Sequence, residues 1–181
     1  FATLWKNVAQ KLGLDIDWVS GDWRHGIDPD QVEDRLRADR GQRIRAVLVT
    51  HTETSTGVTS RIPLIRAAMD AAAHPALLMV DAVSSLACSE YRHHDWRVDV
   101  SVSASQKGLM LPPGLSFNAI SDKALEYSQL STSCHSYWRW DAMLENNERG
   151  FFPYTPATNL LYGLSEALAL LQRQGLNNVI A

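Results

Sequence analysis

The chain has 181 residues, 45% hydrophobic and 20% charged, with a net charge of −3. That is the profile of an ordinary globular protein large enough for one real core. Lys and Arg are outnumbered and scattered, so no nucleic-acid footprint is present, and no apolar run is long enough to span a bilayer as a helix.

The chain opens on "FATLWKNVAQKLG", where Leu4, Trp5, Val8, Ala9 and Leu12 share a helical stripe that ends at Gly13. "LDIDWV" alternates Leu14, Ile16 and Trp18 and predicts a half-buried strand. "DPDQVEDRLRADRG" predicts a helix with Asp28 as N-cap, Pro29 in its first position and Gly41 beyond its end. "IRAVLVTH" is an apolar strand of the kind covered on both faces. A polar loop, "TETSTGVTSRI", then leads into a helix from Pro63. "ALLMVDAV" and "DVSVSAS" predict two more buried strands, "LSFNAIS" a fourth, and "DKALEYSQL" a helix. The stretch 131–156 is aromatic and predicted irregular. A long helix follows from about Ala157 to Gly175, with Leu160, Leu161, Leu164, Leu168 and Leu171 on its apolar face. Strands alternating with helices predict an α/β fold around a mostly parallel sheet, with no domain boundary inside residues 1–181.

In such sheets ligands lie beyond the carboxyl ends of the strands. The apolar strands end there in His51–Thr56, in Asp81 and in Gln106–Lys107. A strand-end aspartate can simply cap the next turn, and most lysines are solvated. Lys107, however, follows small Ser103, Ala104 and Ser105 and precedes a stretch stiffened by Pro112 and Pro113. A lysine desolvated in such a place becomes a usable amine nucleophile. Together, the pair suggests pyridoxal 5'-phosphate, whose aldehyde needs a lysine and whose ring nitrogen needs an acid. A pyridinium–carboxylate pair about 4 Å apart gains about 4 kcal/mol at an effective dielectric of about 20, or about three pKa units.

"HTETSTGV", "VDAVSSL", "SASQKGLMLPPGL" and "GFFPYTPATNLLYGL" resemble, in this order and spacing, the class V aminotransferases of fold type I. The likeness is strongest to the serine–glyoxylate and alanine–glyoxylate group. The resemblance implies the three-layer large domain of that fold, in part: the family's phosphate-cradling loop precedes the position of Phe1. Its substrate-carboxylate arginine and small domain follow Ala181. It further implies Lys107 as the Schiff-base lysine, Asp81 on the pyridine nitrogen, and Thr54 near the ring hydroxyl or Asp81. Val83 would pack on the ring face and Gln106 would bind the phosphate. Thr155 would reach the phosphate of the neighbouring subunit's cofactor, which makes a homodimer with shared sites. Phe1 matches the family's aromatic ring over the cofactor. One departure is Phe152, where some relatives carry a phosphate-binding tyrosine.

The implied reaction moves an amino group from serine or alanine to glyoxylate, giving glycine and hydroxypyruvate or pyruvate. Other class V reactions stay open: ureidoglycine–glyoxylate or aminophosphonate transamination, and cysteine desulfuration, although that branch typically has histidine where this chain has Gln106. A non-catalytic α/β module in which Asp81 and Lys107 simply pair is the remaining alternative. Cys88 and Cys134 form no ligand cluster, and free thiols suit a reducing, cytoplasmic setting without ruling out an organelle. His93 and His94 read as turn residues, and His51 as a packed histidine or one that backs up the site. His135, Tyr137 and Trp138 read as an aromatic cluster or a wall of the substrate pocket, and Glu53 as a loop-ordering carboxylate.

Overall fold

The computed structural model describes residues 1–132 and 136–180. Helices α1 (Ala2–Lys11) and α2 (Pro29–Ala38) precede strand β1 (Ala46–Thr50). Helix α3 (Ile62–Ala71) leads to β2 (Leu77–Asp81), β3 (Val100–Ala104) and β4 (Ser116–Ile120). Helices α4 (Asp122–Gln129), α5 (Trp140–Glu148), α6 (Thr158–Gln174) and α7 (Leu176–Val179) complete the chain. The sheet order is β1-β2-β3-β4. β1, β2 and β3 run parallel and β4 is antiparallel to β3, so the sheet is mostly parallel, as the pattern of elements implies.

Local chemistry sets several boundaries. Asp28 caps α2 by accepting from Asp30 N at 3.1 Å, with Pro29 in the first turn. Ser121 Oγ caps α4 by accepting from Ala124 N at 3.1 Å. Val32 and Leu36 of α2 and Ile62, Ile65 and Met69 of α3 pack with Val49, Leu78 and Val80 into one core against one face of the sheet. At the amino end of the sheet, buried Asp99 accepts from Leu78 N at 2.8 Å and from Ser121 Oγ at 2.9 Å. Arg66 lies 3.7 Å from the same carboxylate. One satisfied buried carboxylate thus ties β2 to the β3–β4 pair.

Some sequence expectations fail. Residues 14–19 form no strand, and Leu14, Ile16 and Trp18 stay exposed. A strand exists only by pairing, and the free edge of β1 takes no partner among the described residues. β1 is also not covered on both faces, since Leu48 is 44% exposed. On α1 only Ala9 is buried, and Leu4, Val8 and Leu12 face solvent. The segment expected to be irregular contains α5, a helix with no side-chain cap and no buried residue, so neither capping nor a core stripe advertises it. Cys134 and His135 lie outside the described residues.

Candidate active site

Because β1, β2 and β3 are parallel, their carboxyl ends share one edge, with Thr50 level with Asp81 and Asp81 level with Val102. Three connections rise from that edge and touch one another. The loop after β1 is tied down by His51 N donating to Asp81 O at 2.9 Å and closed by Ser60 N donating to His51 O at 2.8 Å. The turn after β2 starts with Ala82 N donating to Val102 O at 2.8 Å, and Leu86 N then donates back to Ala82 O at 2.9 Å. Thr54 Oγ1 and Ser84 Oγ, 2.6 Å apart, bond the first loop to this turn. The connection after β3 holds Gln106 and Lys107. It presses on the same turn so closely that a Cβ on Gly108 would lie 2.2 Å from Leu86 O and 2.9 Å from Cys88 Sγ. Leu111 of this connection also packs on α6 at Gly163, where a Cβ would sit 2.6 Å from Leu111 Cδ2 and the leucine tip would have to shift.

Asp81 is half-buried, and its Oδ1 accepts from Val83 N at 2.9 Å. Desolvation pushes its carboxyl above the usual carboxylate range. The Val83 bond works against that rise, and Glu53 adds to it. Among the described residues no cation forms an ion pair with Asp81. It does not pair with Lys107, so the simple-pair reading lacks its contact. Lys107 is exposed, in a bend. The expected desolvation of this lysine is therefore absent in this chain: Lys107 stands exposed in the bend beyond the end of β3, between buried Ser105 and Leu109.

Val83 is half-buried, and Thr54 and Gln106 are exposed at the same edge. Phe1 lies beside the first loop, its nitrogen 2.6 Å from Glu53 Oε2. Thr155 is exposed in the connection before α6. Next to it, Tyr154 stacks on Tyr137 at 4.8 Å between centroids, and Trp138 meets Tyr137 edge-on at 6.1 Å. His51 is a packed residue: its ring lies 5.3 Å from Tyr91 and 5.5 Å from Trp96, with Nδ1 buried and unpartnered. Burial holds its imidazole below the ordinary value. His93 sits in a turn, as expected, with Nδ1 2.7 Å from Ser101 Oγ. Sequence reasoning missed Ser84, the close packing at Gly108 and the bonding of Ser105. Only the residue types, a hydroxyl run and a glycine after a lysine, hinted at them.

The family model for aminotransferase class-V matches residues 2–181. The chain belongs to the class V aminotransferases. It is 46% identical over 184 residues to a serine–glyoxylate aminotransferase of Methylorubrum extorquens, covering 99% of this chain and 46% of that protein. It is 42% identical over 181 residues to an L-aspartate–glyoxylate aminotransferase of Paracoccus denitrificans, covering 100% of this chain and 46% of that one. Among solved structures, an alanine–glyoxylate aminotransferase from Nostoc sp. superposes with a TM-score of 0.83 at 29% identity, over 96% of this chain and 46% of that one. The chain thus spans about half the length of the curated relatives it matches. The family's fold is that of the type I pyridoxal-phosphate enzymes, and its cofactor is pyridoxal phosphate.

The residues present fit that cofactor. A half-buried carboxylate without an ion-pair partner suits a protonated ring nitrogen. Lys107 Nζ, with no hydrogen-bond or ion-pair partner among the described residues, is free to bond an aldehyde. The paired hydroxyls of Thr54 and Ser84 join the two connections that rise beside Asp81.

Proposed function

We propose that this chain is the cofactor-binding part of an aminotransferase that moves an amino group from serine or alanine to glyoxylate. The observation that carries the reading is the gathering at one sheet edge of Asp81, half-buried without an ion-pair partner, and Lys107, unpartnered and two residues beyond buried Ser105. Pyridoxal phosphate, when bound, supplies an electron sink that makes the substrate Cα–H acidic. Lys107 Nζ would hold the cofactor's aldehyde covalently and, once released by the substrate, carry the proton to and from Cα. Asp81 would hold the ring nitrogen protonated; its desolvation penalty disappears when a cation arrives. Val83 would pack on the ring, Thr54 would bond the ring hydroxyl or Asp81, and Gln106 would donate to the phosphate.

Thr155, exposed on the loop before α6, would donate to the phosphate held by a second copy, so the active form is a homodimer with shared sites. Phe1 would supply an aromatic cover over the ring. The setting is cytoplasmic. The relative acting on L-aspartate makes that amino acid a further donor to try. The test is a panel of serine, alanine, aspartate, cysteine and an aminophosphonate with glyoxylate or pyruvate, run on the intact protein. Glycine formed from glyoxylate with serine or alanine is the expected result. Turnover only with cysteine, releasing sulfide, or only with the aminophosphonate would overturn the choice of reaction. A colourless protein without any transamination would overturn the whole reading.

A further inference from the structure

We propose that Ser105 is the positioning residue for Lys107, acting through its hydroxyl rather than its small size; the proposal rests on the function given above. Ser105 is fully buried, and every polar group it has is bonded inside one loop. Its N–H donates to Leu115 O at 3.1 Å, and its C=O accepts from Leu111 N at 3.1 Å. Its Oγ donates to Pro112 O at 2.8 Å and accepts from Leu115 N at 3.2 Å. The ends of the 105–115 loop are therefore cinched at a single side chain, and Lys107 sits on the short arm of that loop. The arm is bent tightly: Met110 N donates to Lys107 O at 2.8 Å, and Met110 itself has φ 59°. A non-glycine residue at positive φ persists only where its surroundings over-determine it. The Oγ bonds to Pro112 and Leu115 supply part of that constraint.

Alanine would fill the same space but remove both Oγ bonds, leaving the half-buried Leu115 N–H and the Pro112 C=O without the side chain that ties residue 105 to residues 112 and 115. The loop would then relax toward other partners and take Lys107 with it. A misplacement of about 1 Å is enough to cost about 10²-fold in rate.

The experiment uses the intact protein. Ser105→Ala is expected to lower kcat for glycine formation by about 10²-fold with the KM for the amino donor unchanged, because the defect lies in the placement of the amine and not in substrate binding. The pH midpoint of the bound cofactor's visible band should shift, and the Leu115 amide should exchange faster, while amides of β1 and β2 keep their protection. Ser105→Cys, which keeps a weak donor and acceptor in place, should fall between parent and alanine variant on every readout; it also serves if the alanine variant does not fold. Ser85→Ala, at a fully buried serine whose Oγ has no partner, should match the parent. A coloured, active parent whose Ser105→Ala form keeps its rate, midpoint and Leu115 protection would overturn the positioning role alone. A parent with neither visible band nor glycine formation would instead sink the functional reading, before any variant is compared.

Discussion

Gly108→Ala tests whether the Asp81 turn and the Lys107 loop act as one mechanical unit. A Cβ at that position would lie 2.2 Å from Leu86 O, 3.0 Å from Ala87 C and 2.9 Å from Cys88 Sγ, whereas ordinary contact begins at 3.4 Å. The approach to the backbone is thus about 1.2 Å too short, and a carbonyl cannot step aside like a side-chain tip. Leu86 is held by its own bond to Ala82 O, and Ala87 already occupies φ 59°, so the turn yields poorly. The lysine loop must move instead. Overpacking of this kind costs about 1–3 kcal/mol, which lowers Tm by roughly 2–4 °C per kcal/mol in a domain of this size. A displacement near 1 Å at the reacting amine costs about 10²-fold in rate. The assay is kcat for glycine formation together with Tm and the cofactor's visible band, all on the intact protein. Gly21→Ala, where nothing lies within 4 Å of the new Cβ, should change none of them. A Gly108→Ala enzyme with parental kcat and Tm would show that the two connections do not press on each other, and the steric reasoning would fail.

Lys107→Ala should abolish transamination, and borohydride reduction of the parent followed by peptide mapping should place the pyridoxyl label on Lys107; a label on Lys11 or Lys123 would refute this. Asp81→Asn should weaken cofactor binding and slow turnover by about 10²-fold or more, because the ring nitrogen loses its counter-charge. The same variant, free of cofactor, should melt no lower than the parent at pH 7. Burial raises the folded carboxyl above its unfolded value, so ionised Asp81 costs stability in full above the folded value, and the cost fades as the pH falls from there and is gone below the unfolded value. For the shared site, subunits inactivated at Lys107 are mixed with subunits inactivated at Thr155. The heterodimer should hold one site with both defects and one with neither, so recovered activity is expected; strictly additive behaviour of two dead parents would exclude sharing. Burial lowers the His51 imidazole from its ordinary 6.5, so the unfolded chain protonates first as pH falls. Stability should be full above that value and lost below it. His51→Phe should reduce that slope in urea titrations between about pH 5 and pH 7, and His93, whose shift has the same sign, contributes to the slope that remains.

Strands β1 and β2 were legible because their burial against α2 and α3 is written into consecutive hydrophobic residues, and β3 because small and β-branched residues fill "VSVSA". The α2 boundary was legible because Asp28 and Pro29 are local signals. The strand expected at residues 14–19 was not realised, since alternation states only that a segment could pair and not that an edge will receive it. That Asp81 and Lys107 stand at the carboxyl edge of the sheet was legible from the strand ends. The exposure of Lys107 was not, because it depends on what covers the edge and not on the loop's own residues. Ser105 and Gly108 were legible as small residues, but hydrogen bonding and close packing are properties of two segments at once.

The sheet also explains which way the site faces. Val49, Leu78 and Val80 point into the core with α3, so the two-residue period of a strand puts Leu48, Met79 and Asp81 on the opposite face. That is the face on which Leu48 remains 44% exposed. A slip of one residue would turn the Asp81 carboxylate to the core face of the sheet, where an unpaired charge is costly. Asp99 guards against that slip at the other end of β2 by fixing Leu78 N. The register that buries the core is therefore the register that leaves Asp81 on the opposite face, so under the proposed function the same few residues of β2 would serve both folding and cofactor binding.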